Sequence, residues 1–161
     1  GYDVALRIAK DPGQNLVARK LAAVHRKVCA TPEYFAAHGI PRTPRALADH
    51  NCLTYTHLHE WHFRGPEGEL SVPATGNLRL NDDEALSQAV LGGLGLAMLP
   101  TFIVGKELQA ARLQAVLSEY VPLERDIYAV YLPNRHLSPK VRVFIDFLLE
   151  RFGSPAYWDR A

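Results

Sequence analysis

Hydrophobic and polar positions alternate from the start of the chain: Val4, Leu6 and Ile8 are separated by Ala5 and Arg7, the two-residue period of a strand. Asp11-Pro12-Gly13-Gln14-Asn15 follows as a loop. Residues 21–30 read as a second strand, with Val24, Val28 and Ala30 on one face. That strand stops at Thr31-Pro32-Glu33, where an N-capping hydroxyl, a proline at the first helical position and an acid in the first turn start a short helix ending at His38-Gly39. Thr43-Pro44 repeats the signal for residues 45–49. Strands are predicted at 52–56 and 61–64, the second turning at Gly65-Pro66-Glu67-Gly68 and returning through 70–72 as a hairpin.

Residues 77–80 form a further strand, and the acids of Asn81-Asp82-Asp83-Glu84 suit the positive end of a helix carrying Leu86, Ala89 and Val90. Gly92-Gly93 ends that helix, and a buried strand at 94–99 closes on Pro100. A helix over 101–111 and strands at 113–117 and 127–132 come next. Ser138-Pro139 then opens a helix in which Val141, Phe144, Ile145, Leu148, Leu149 and Phe152 keep i, i+3, i+4 spacing until Gly153. Strands alternating with helices predict an α/β fold with a largely parallel sheet.

Composition narrows the classes. With 48% apolar and 22% charged residues in 161, the chain is globular, and two cysteines exclude a disulfide scaffold and fit a reducing cytoplasm. Lys plus Arg (18) nearly balances Asp plus Glu (17), so these residues are a poor nucleic-acid surface by themselves. The uncharged run at 85–105 has the length of a membrane span, but its glycines, Pro100 and hydroxyl residues read as a buried helix–turn–strand unit, and no membrane partner is expected. The first residues carry charges rather than an apolar leader, so no secretory signal is visible.

Ligands of open α/β sheets bind at strand–helix junctions. The predicted junctions bring forward Arg7, Thr31, Tyr55, Thr56 and Asn81-Asp82, with Tyr55 and Trp61 as apolar walls, a set suited to a small carboxylate. Thr31 and Asn81 have the alternative of being N-caps only. Arg7, lying among Val4, Leu6 and Ile8, needs an anionic partner if buried. His57, His59 and His62 miss the spacing of a helical zinc motif, so no metal and no cofactor are expected. Gly92-Gly93-Leu94-Gly95 lies in the wrong order for a dinucleotide loop. No serine sits in a Gly-x-Ser-x-Gly elbow, and neither Cys29 nor Cys52, which follows His50, has a recognisable set of base and orienting group, so no catalytic residue is assigned and an enzyme is not expected.

Taken in order, Ala30-Thr31-Pro32-Glu33-Tyr34-Phe35, Gly39-Ile40-Pro41, Thr43-Pro44-Arg45-Ala46-Leu47, Asn81-Asp82-Asp83-Glu84-Ala85-Leu86, Gly93-Leu94-Gly95-Leu96-Ala97-Met98-Leu99-Pro100 and Tyr128-Ala129-Val130-Tyr131 resemble the effector-binding domain of LysR-type transcriptional regulators over nearly the whole chain. The resemblance implies a periplasmic-binding-protein-like α/β fold of two subdomains joined by two crossing strands, with a small, anionic effector held between them. The subdomains would be 1–30 with 126–161, the first and incomplete, and 31–125, the second. Arg7, Thr31, Tyr55, Thr56, Asn81 and Tyr128 would line the site, with Trp61 and Asp82 beside them. The resemblance further implies a cytoplasmic homo-oligomer, a dimer or tetramer, that meets promoter DNA through a winged helix-turn-helix not found in this sequence. A solute-binding protein of a transport system is the alternative with the same fold.

Overall fold

A computed structural model describes residues 2–11, 13, 15–123, 125–133 and 138–159. Pro12 and Gln14 of the predicted loop lie outside the described residues. The chain begins with strands β1 (Ala5–Ala9), β2 (Val17–Val24) and β3 (Arg26–Ala30), then helix α1 (Pro32–His38) and a 3₁₀ helix at Pro44–Asp49. Next come β4 (Cys52–Tyr55), β5 (Glu60–Gly65), β6 (Gly68–Pro73), β7 (Arg79–Leu80) and α2 (Asp83–Leu91). β8 (Leu96–Pro100), α3 (Thr101–Gln109), β9 (Gln114–Val116), β10 (Val121–Pro122), β11 (Arg125–Tyr131) and α4 (Pro139–Phe152) follow, with a 3₁₀ turn at Tyr157–Asp159. The elements fall into two compact units, Gly1–Val24 with Glu124–Ala161, and His25–Leu123.

The first unit is a three-stranded antiparallel sheet in the order β1-β11-β2. Helix α4 packs on β2 and buries Val141, Ile145 and Leu148. Only three of the six apolar positions predicted for its inner face are buried; Phe144 stays 42% exposed because the sheet beneath is narrow. Ser138 makes no side-chain cap, so Pro139 and the Ser138 carbonyl, which accepts from Val141 and Arg142, define that helix start.

The second unit has a five-stranded sheet, order β7-β4-β8-β3-β9, and a three-stranded sheet, order β10-β5-β6. One face of the larger sheet packs with Trp61, Phe63 and Val72 of the hairpin, the other with Leu86, Val90 and Val104 of α2 and α3. The hairpin forms as predicted, with Gly65 opposite Gly68. Thr31 caps α1, its hydroxyl accepting from the Tyr34 N–H at 3.2 Å.

Two expectations are corrected. The predicted strand at 21–30 is two strands broken at His25, β2 in one sheet and β3 in another. The sheets are mainly antiparallel, with parallel pairing confined to β4–β7 and β4–β8. The cause is non-local: β3 inserts between β8 and β9 and runs against both, a partner choice that local alternation does not encode.

Candidate functional site

In the second unit the registers decide which predicted residues meet. Tyr55 stands beside Leu80 in parallel register, and the Thr56 N–H donates to the Leu80 carbonyl at 3.0 Å. Asn81 and Asp82 therefore follow directly alongside Tyr55 and Thr56. Asp82 is the N-cap of α2, its carboxylate accepting from the Ala85 N–H at 2.8 Å, so the cap is Asp82 and not Asn81. Asn81, Asp82 and Thr56 are exposed and Tyr55 is half-buried.

Arg26 joins this end of the sheet. It starts β3 opposite Pro100, and its guanidinium lies over the Tyr55 ring at 5.9 Å, a cation–π distance. Asp83, in the first turn of α2, has its carboxyl pushed up by burial and partly restored by the Arg26 charge. Thr54 Oγ1, Tyr55 Oη and Asp83 Oδ1 are buried and make no hydrogen bond among the described residues. A phenol, a threonine hydroxyl and a carboxyl oxygen without hydrogen bonds among the described residues thus lie at one edge, beside the Arg26 guanidinium and the start of α2. Sequence reasoning passed over Arg26 and Asp83; the available signal was an arginine opening an apolar strand, the same signal that singled out Arg7.

Thr31 is not part of this cluster. Lys27 pairs with Leu99 at the level of Tyr55, and Thr31 lies four residues further along, roughly 13 Å away at the rise of a strand. It sits 7% exposed at the far end of the sheet as the cap of α1. Trp61 is also corrected. It is 2% exposed in the hydrophobic core beside Phe63, because β5 alternates His62 and Arg64 outward with Trp61 and Phe63 inward. A ring so enclosed offers no wall to a ligand.

In the first unit, Arg7 faces Tyr128 across β1 and β11, and Tyr128 faces Lys20 of β2, giving one row over three strands. The Tyr128 hydroxyl donates to Asp126 at 3.2 Å, and Lys20 Nζ pairs with the same carboxylate at 2.8 Å. Burial and the Asp126 carboxylate both raise Tyr128 above the ordinary phenol range. A β-bulge at Ile127/Tyr128 leaves Leu21 as the extra residue on β2 and sets this row. Lys20 and Asp126 were not singled out from sequence; their pairing depends on the register of strands far apart in the chain.

Among the described residues, no group of three or more His, Cys, Asp and Glu side chains could hold a metal ion. No helix among them is long and apolar enough to cross a membrane.

Residues 1–153 match the LysR substrate binding domain family. The chain is 35% identical over 157 residues to the HTH-type transcriptional regulator DmlR of Escherichia coli, covering 95% of this chain and 51% of that protein. It is 31% identical over 156 residues to the HTH-type transcriptional regulator CrgA of Neisseria meningitidis, covering 94% and 52%. The chain therefore spans about half the length of the curated relatives it matches. The full-length Vibrio cholerae virulence activator AphB superposes with a TM-score of 0.82 at 29% identity, covering 92% of this chain and 51% of that one. The regulatory domain of CrgA superposes with a TM-score of 0.79 at 31% identity, covering 94% and 76%. These likenesses give the two units the periplasmic-binding-protein-like α/β fold of such regulatory domains and do not favour the transport alternative. This chain belongs to the LysR substrate-binding domain family.

Proposed function

We propose that the chain is the effector-sensing part of a LysR-type transcriptional regulator, and that a small polar anion is its effector. The observation that carries the reading is the cluster of Arg26, Tyr55, Thr56, Asn81 and the start of α2, in which Tyr55 Oη and Asp83 Oδ1 are buried without hydrogen bonds among the described residues, in a chain of this family. Arg26 supplies charge, the α2 start supplies N–H donors, and Thr56 and Asn81 supply exposed donors that fix orientation. The row of Arg7, Tyr128 and Lys20 is a separate polar feature of the first unit. Occupancy changes the stability and arrangement of the sensing domain and, through contacts between copies in a dimer or tetramer, the engagement of promoter DNA in the cytoplasm by a DNA-binding domain of the kind named in the HTH-type relatives. The proposal assigns no catalytic step, in keeping with a family of regulators.

The test is a thermal-shift screen of small mono- and dicarboxylates on the full-length protein, followed by promoter-binding measurements with each stabilising compound. A stabilising anion whose effect is abolished in Thr56→Ala and Asn81→Ala is the expected result. Stabilisation that survives both substitutions would overturn the assignment of the site.

A further inference from the structure

The second unit carries a cavity of about 460 Å³ that shares no lining residue with the cluster above, walled by the 3₁₀ helix at Pro44–Asp49 and the tip of the β5–β6 hairpin. Pro44, Leu70 and the half-buried Tyr120 supply its apolar lining. The lining carries opposite charges on its two elements, Arg45 on the 3₁₀ helix and Glu67 at the hairpin tip. Glu69 is held by Arg64 at 2.8 Å, whereas Arg45 and Glu67 make no ion pair among the described residues.

The hairpin tip is a tight turn. Gly65 pairs with Gly68, Pro66 fixes its own φ between them, and Gly68 adopts φ +115°, a value that glycine tolerates. Gly65 is also where the hairpin rests on Tyr120: a Cβ there would lie 2.7 Å from the ring. The volume is that of a small-molecule site, and its lining mixes apolar side chains with charged ones.

We propose that this cavity is a second small-molecule site, for a zwitterion of the amino-acid type with an apolar side chain. Arg45 receives the α-carboxylate through its planar fork, Glu67 receives the α-ammonium, and Pro44, Leu70 and Tyr120 take the side chain. Free amino acids carry both charges near neutral pH, so one ligand satisfies both walls. The inference stands apart from the effector reading, since it uses none of that site's residues.

The experiment is calorimetric titration of the full-length protein with L-leucine, N-acetyl-L-leucine and L-leucinamide. Leucine binds best, because each derivative has lost one charge. Arg45→Ala weakens leucine and N-acetyl-leucine by roughly tenfold or more and leaves leucinamide unchanged; Glu67→Gln weakens leucine and leucinamide and leaves N-acetyl-leucine unchanged. Gly65→Ala, which must displace Tyr120, weakens all three. No leucine binding at millimolar concentration overturns the proposal, as does leucine binding indifferent to Arg45→Ala and Glu67→Gln. Binding lost in Thr56→Ala but kept in Arg45→Ala assigns the ligand to the other site and overturns it equally.

Discussion

The Tyr34 hydroxyl accepts the backbone N–H of Asn51 at 3.1 Å, tying α1 to the start of β4 across seventeen residues of sequence. Asn51 extends the tie, its side chain donating to the Leu94 carbonyl at 2.6 Å and to Asn77 Oδ1 at 2.9 Å, and accepting from the Asn77 N–H. Tyr34→Phe leaves the Asn51 N–H without its partner and is expected to lower unfolding free energy by about 1–3 kcal/mol. Urea denaturation of the full-length protein measures it; a change within error would show that water replaces the hydroxyl.

His50 lies 3.3 Å from the same hydroxyl and is buried. Burial, and then the nearby His38, lower its pKa below the ordinary imidazole value, with Asp49 opposing. Folding therefore favours neutral His50. Its contribution is complete above the unfolded pKa of about 6.5 and is lost as pH falls from there through the lower folded pKa. Melting temperature is expected to decline over that window, and His50→Gln is expected to flatten the decline. An identical slope in both proteins would assign the effect elsewhere.

Thr31 acts at its place in the fold as a helix cap. Thr31→Ala is expected to cost about 1 kcal/mol and Thr31→Ser almost nothing. Effector-induced stabilisation, measured as the shift above each variant's own melting point, is expected to be equal in both.

Cys29 and Cys52 are free and buried, and burial pushes their thiols up to about 12 and about 11. Thiolate is the reactive form, so neither is expected to react with Ellman's reagent at neutral pH until the second unit unfolds. Rapid labelling of the native protein would contradict the burial described.

Trp61 fills the core between the hairpin and the large sheet, and Trp61→Ala is expected to cost about 3–5 kcal/mol. That loss approaches the whole stability of a small unit, so the variant is expected to lose soluble expression.

Much of this was legible locally. The hairpin followed from Gly65 and Gly68 bracketing Pro66-Glu67, and α1 from Thr31-Pro32, because turn and cap chemistry act over a few residues. Even the inward position of Trp61 was present in the His62/Arg64 alternation, although the ring was read as a ligand wall. The antiparallel pairing of β3 and the separation of Thr31 from Thr56 were not legible. Both depend on which strands adjoin, and that is settled by packing between segments distant in sequence. Arg26 and Asp83 escaped for the same reason, since each takes its meaning from the other.

The pairing of β2 with β11 sets an order of events. Val24 lies opposite Arg125, so the first sheet closes only after the chain has returned from the whole of His25–Leu123. Closing so long a loop while it is disordered costs more entropy than closing it once its contents have folded. Within the second unit, β3 at its beginning and β10 at its end pack together, so folding that unit shortens the loop by itself. The second unit is therefore expected to fold first and to template the first, with amide protection appearing in β3 and β8 before β2 and β11 in pulsed hydrogen exchange.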